Sequence, residues 1–172
     1  MGLFENVLLT DSIKIKTTPE KIFAFLTGIV DDDSYRAWHR EDHVRFRWIE
    51  GKPWAEGSVI YAEEYIHGKL HKLKFKITKI VPNKKIEYSP VSRFIRKFFP
   101  KNEFIIKQKG DCCLFIASGT YRLGWIGRTF FKKAIESNLS SVKKHMKEEG
   151  ENLKRILEKD EIEQPADRQR IT

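Results

Sequence analysis

The chain has 172 residues, 40% of them hydrophobic and 33% charged. That balance excludes a disordered chain and suits one domain with a full core, and no apolar run reaches the length of a membrane-crossing helix. The formal charge of +9 raises nucleic acid or an anionic surface as partners. Much of that charge, however, alternates with apolar residues: Lys72, Lys74 and Lys76 interleave with Leu73, Phe75 and Ile77. This is the pattern of a half-buried strand with lysines on its wet face. No binding motif accompanies the charge, so no nucleic-acid partner is expected. The first residues carry acids where a secretory signal needs basic residues. Cys112 and Cys113 are chain neighbours and read as reduced strand residues. A cytoplasmic location is the expectation.

The first strand is expected at residues 12–17, where Ile13 and Ile15 alternate with Lys14 and Lys16. Thr18, Pro19 and Glu20 then supply a helix cap, a first-turn proline and a first-turn acid. The short helix they open carries Ile22, Phe23, Phe25 and Leu26, and Gly28 is its expected stop. Asp31, Asp32, Asp33 and Ser34 form a second capping cluster before Tyr35, Trp38 and His39. From His43 the period becomes two. Val44, Phe46 and Trp48 take one face, and His43, Arg45 and Arg47 are expected to meet solvent on the other. Strands follow at residues 59–66 and 69–81, joined at His67 and Gly68, and then at 86–89. Strands at 103–109 and 112–123 pair across Gly110 and Asp111, a strong hairpin signal. Residues 127–158 read as one helix with the stripe Ile135, Leu139, Val142, Met146, Leu153 and Leu157.

This order predicts an α+β fold: a curved antiparallel sheet of about seven strands around a long C-terminal helix, with two short helices after the first strand. Residues 1–158 form the expected domain, and 159–172 a flexible polar tail.

The segment Thr17-Thr-Pro-Glu-Lys-Ile-Phe-Ala-Phe-Leu resembles the opening of the START-related, birch-pollen-allergen-like superfamily, in particular its polyketide cyclase/dehydrase and lipid-transport group. Gly57-Ser-Val-Ile-Tyr, Ile80-Val-Pro-Asn-Lys-Lys-Ile-Glu-Tyr and the helix end from His145 to Glu158 are similar to later parts of the same pattern. The resemblance implies a helix-grip fold with a hydrophobic cavity between sheet and helix. It implies no single function, because carriers, receptors, cyclases and hydrolases share the fold.

Tyr35, Trp38, Phe46, Trp48, Phe75 and Phe104 are the expected cavity residues for an apolar or aromatic ligand of polyketide- or lipid-like kind. His39, Glu64 and His145, with His71 or Glu149 beside them, form a nitrogen-and-oxygen set suited to zinc. His145 lies about 80° from the stripe centre at about 100° per residue, and Glu149 lies nearer it. Val59, Tyr61 and Tyr65 leave Glu63 open as the inward acid in place of Glu64. Trp38-His39 and the His145/Glu149 spacing resemble parts of the zinc site of phloroglucinol-derivative hydrolases. Three functions are therefore expected to compete: a binding protein, a zinc-dependent hydrolase or cyclase, and a peripheral lipid-transfer protein. The last would use residues 92–100, where Phe94, Ile95, Phe98 and Phe99 sit among Arg93, Arg96 and Lys97 as a lid, a membrane contact or a core-packed loop. The open edges of such a sheet allow a monomer or a dimer.

Overall fold

The computed structural model describes residues 4–66, 68–124 and 132–162. Its elements, in chain order, are β1 (Phe4–Ile15), α1 (Pro19–Thr27), α2 (Asp32–Trp38), β2 (His43–Glu50), β3 (Val59–Ile66), β4 (Lys69–Val81), β5 (Lys85–Pro90), α3 (Arg93–Phe98), β6 (Lys101–Lys109), β7 (Cys112–Gly124) and α4 (Lys132–Ile162). The strands form one sheet in the order β1-β7-β6-β5-β4-β3-β2, antiparallel throughout. The expected architecture is present.

The short helices form where their caps require. Thr18 Oγ1 accepts from Lys21 N–H at 3.4 Å, and α1 ends at Gly28. Asp31 and Ser34 make a reciprocal capping box for α2. Asp32 then accepts from Phe46 N–H at 2.8 Å, which ties the start of α2 to β2. Gly110, at φ +59°, makes the turn between β6 and β7 that a side chain would strain.

β1 begins well before residue 12 and pairs with β7 along its whole length, from Phe4 opposite Gly124 to Ile15 opposite Cys113. Its upstream half was hidden in the sequence because Asp11 takes a covered position between Leu9 and Ile13, while Leu8 faces outward. α4 packs on β1, β3, β7 and α2. Met146, Leu153 and Leu157 of its stripe are buried; residues 127–131 and the side chain of Ile135 lie outside the described residues. Gly150 permits the close crossing, since a Cβ there would sit 3.3 Å from Ile13 Cγ2. Glu158 Oε1 accepts from Lys16 N–H at 2.9 Å and binds the helix to the end of β1. The helix continues past Glu158 to Ile162, because Lys159, Asp160 and Glu161 oppose helix formation only weakly. None of the described helices is long and apolar enough to cross a membrane.

The main core, including Ile15, Ile22, Leu26, Ile77, Phe115 and Leu153, lies between the sheet and its helices. Toward β3, β4 and α4 the side chains do not meet, and a cavity opens.

Candidate functional site

The cavity has a volume of about 770 Å³, within the range of small-molecule sites. Tyr35, Trp38, Phe46, Phe75 and Phe104 line it. Trp38 is held by Nε1 donating to the Glu149 carbonyl at 3.0 Å, and its ring meets Phe104 edge-on at 5.7 Å. Trp48 does not reach this cavity. It packs edge-on against Phe46 and Trp54 and borders a separate surface hollow beside Asp31, Asp32 and Asp33.

One end of the cavity is polar. His43, from the start of β2, is opposite Glu64 of β3 in the sheet register. Its Nδ1 lies 2.9 Å from the Tyr35 carbonyl, which only accepts, so Nδ1 donates there and Nε2 points into the cluster. There Nε2 is 3.2 Å from Glu149 Oε1 and 3.9 Å from Glu64 Oε2. His145 approaches from α4 with Nε2 at 3.8 Å from Glu64 Oε2 and 3.6 Å from Glu149 Oε1. Its other nitrogen, Nδ1, is 3.1 Å from Asp42 Oδ2. Tyr35 stacks on His43 with centroids 3.7 Å apart and donates to Glu64 Oε2 at 2.6 Å. Burial and the Glu64 charge hold the Tyr35 phenol well above its ordinary pKa, so it remains a donor.

This donor set fits a divalent metal. The ligand atoms of His43, Glu64 and His145 all lie within 4.8 Å of one another. A tetrahedral zinc about 2.0–2.2 Å from each donor sets donor separations of about 3.3–3.6 Å; Glu64 lies 3.9 and 3.8 Å from the His43 and His145 nitrogens, and Glu149 3.2 and 3.6 Å from them. His145 Nε2 is buried without a hydrogen-bond partner. Both imidazoles give their outer nitrogen to an oxygen, Tyr35 O for one and Asp42 for the other, the outer-shell arrangement that orients metal-binding histidines.

No family model matches the sequence, and no curated protein matches it in sequence. Solved structures match it in shape. The KanY protein is 14% identical, with a TM-score of 0.65, 90% of this chain covered and 99% of that one. Norcoclaurine synthase from Thalictrum flavum is 8% identical, with a TM-score of 0.66, 91% of this chain covered and 89% of the synthase. The protein has the helix-grip fold of the birch-pollen-allergen-like proteins. The di-domain ARO/CYC BexL is 12% identical with a TM-score of 0.67; 89% of this chain is covered but 50% of BexL, so the match spans about half of that protein.

Within this helix-grip frame the predicted site residues separate. Glu64, His145 and Glu149 meet at the cluster, and Glu64 is the acid that lines the cavity. Glu63 instead takes the hydroxyl of Tyr61 and pairs with Arg45 at 3.5 Å. His39 lies beside the cluster rather than in its centre, with Nδ1 3.5 Å from Asp42 Oδ2. His71 is opposite Glu64 on β4 but exposed at the cavity rim. His67 lies outside the described residues. The expectation that His43 faces solvent is wrong: it is 2% exposed. The β2–β3 register shifts between His43 and Arg45, so alternation restarts there and both His43 and Phe46 point inward. Asp42, unnoticed in the sequence, joins His39 and His145.

Charge balance in this cluster gives a pH signature for the metal-free protein. Burial alone would lower the His145 pKa, but Glu149, Glu64 and the Asp42 hydrogen bond outweigh it and raise the value above 6.5. Its contribution is complete below 6.5 and is lost as pH rises through the higher folded value. His39 is lowered below 6.5, first by burial and then by His43, so its contribution is lost as pH falls. Burial opposes ionisation of Glu149, yet His145 and His43 hold its pKa below 4.5, so its contribution is lost in acid. Thermal melts in chelator from about pH 4 to about pH 9 should therefore peak near the ordinary histidine value and fall on both sides. A His145→Leu variant should lose the alkaline fall.

Proposed function

We propose that the cavity binds an apolar or aromatic small molecule of polyketide-like kind, and that the protein acts on it as a zinc-dependent hydrolase or cyclase. The observation that carries this reading is the convergence of His43, Glu64 and His145 at one end of a mainly apolar cavity. His43, Glu64 and His145 would hold the ion, with Glu149 as the fourth donor. Zinc bound there supplies Lewis acidity toward a carbonyl group. The chain's own residues do the rest. Trp38, Phe75 and Phe104 hold an aromatic ring and exclude water. Tyr35, kept protonated, spends its hydroxyl proton on Glu64 Oε2 and so fixes the orientation of that carboxylate. A norcoclaurine synthase of the same fold has been solved with dopamine and hydroxybenzaldehyde, two small aromatic compounds, which supports the ligand class.

A second reading, a carrier without chemistry, is favoured by the cavity's size and its mainly apolar wall. Metal analysis of protein purified without a histidine tag separates the two. The enzyme reading expects about one zinc per chain, removed by chelator and restored by added zinc. A chain that stays metal-free in excess zinc is a carrier. Both readings expect Ala117→Trp, which pushes a large ring into the cavity from β7, to weaken binding of a fluorescent aromatic probe at least about tenfold. Unchanged probe binding would mean that the ligand sits elsewhere.

A further inference from the structure

α3 has apolar side chains on two sides, and only one of them serves the cavity. Ile95 and Phe99 reach the cavity wall, where Phe99 meets Tyr121 edge-on at 5.0 Å. Phe94 and Phe98 pair with each other at 5.4 Å and remain exposed, Phe94 to 70%. None of the helix's residues is buried. Residues 91–100 include Arg93, Arg96 and Lys97 and contain no acid. Among the described residues none of these three cations has an ion-pair partner. Exposed aromatics in water are unfavourable, and a cluster of them beside unpaired cations marks an interaction surface.

We propose that α3 docks the protein onto an anionic lipid surface, with Phe94 and Phe98 entering the headgroup boundary and Arg93, Arg96 and Lys97 meeting lipid phosphates. The charge pattern selects this occupant over a second copy of the chain. A symmetric contact through α3 would bring the same three cations face to face with no acid between them. Docking in this orientation puts Ile95 and Phe99, and so the cavity wall they form, at the membrane interface. An apolar ligand then enters or leaves without crossing water. The inference does not depend on metal at the polar end.

Vesicle co-sedimentation tests it, using phosphatidylcholine alone and phosphatidylcholine mixed with phosphatidylglycerol. Binding is expected only to the mixed vesicles, weakening at least about tenfold between about 50 mM and 500 mM salt. Each basic residue near such a surface contributes about fivefold in affinity. Replacing Arg93, Arg96 and Lys97 together by Gln should therefore cost about 100-fold. Phe94→Asp with Phe98→Asp should abolish binding. Both variants alter only unburied positions, and circular dichroism with thermal melts should show the parental fold. Equal binding to both vesicle types, no binding to either, or unchanged binding by the Phe94/Phe98 variant would overturn the proposal. Concentration-dependent dimerisation removed by that variant, without vesicle binding, would assign the surface to a second copy instead.

Discussion

A His145→Leu variant should bind zinc more than about 100-fold more weakly than the parent chain and, in chelator at about pH 6, unfold at a lower temperature. Removing an outer-shell partner of a metal ligand already costs about 10–100-fold, and His145 offers its nitrogen directly. The stability half of the expectation comes from buried charge. In the metal-free protein His145 Nε2 has no hydrogen-bond partner, while neighbouring Val142, Met146 and Leu153 of α4 are apolar. Leucine extends that stripe, but it also removes the cation that faces Asp42 at 3.1 Å, Glu149 at 3.6 Å and Glu64 at 3.8 Å. Removing one partner of a buried charge cluster leaves the other charges uncompensated and is strongly destabilising. Isothermal titration with zinc and thermal melts in chelator measure the two halves. Unchanged zinc affinity would remove His145 from the site. An unchanged melting temperature in chelator would mean that His145 carries no charge stabilisation in the metal-free cluster.

Trp38→Ala should destabilise the protein by about 3–5 kcal/mol, the cost of deleting a buried Trp or Phe. Trp38 is nearly inaccessible, meets Phe25, His43 and Phe104 edge-on, and donates across to α4 at the Glu149 carbonyl. It therefore joins α2 to the helix that carries half of the candidate metal site. Trp38→Phe keeps most of the ring contact and loses that one hydrogen bond, so a smaller loss of about 0.5–1.5 kcal/mol is expected. Urea unfolding of both variants separates packing from the hydrogen bond. Equal losses for Ala and Phe would mean that the indole N–H alone anchors α2. Zinc binding should survive in the Phe variant.

The order of elements was legible because each strand and helix announces itself locally. Proline and capping residues open α1 and α2. Gly110 turns the β6–β7 hairpin. The apolar stripe of α4 runs at helical spacing, and His145 and Glu149 interrupt it as acid and imidazole a turn apart. Glu64 was readable only as one of two candidates: it shares parity with Ile60, Ala62 and Ile66, but Val59, Tyr61 and Tyr65 left Glu63 open. Two members of the cluster were not readable. His43 alternates with Val44 in the sequence, and only the bulge between His43 and Arg45, imposed by pairing with β3, turns it inward. Asp42 sits in a loop with no periodicity, and its importance comes from His145, more than a hundred residues away along the chain. Trp48 shows the reverse error: correct parity in the strand, but a position beyond the end of the cavity.

By itself, then, the sequence determined the sheet, the gripping helix and the presence of polar groups on that helix's inner face. Those features depend on spacing along one element, which the chain states directly. The tertiary structure decided which polar groups meet. It placed His43 and Glu64 side by side across two strands, brought His145 and Glu149 to them from the C-terminal helix, and left His71 at the rim. Those are distances between elements, set by strand register, a single bulge and the close crossing that Gly150 permits. No local pattern in the sequence encodes them.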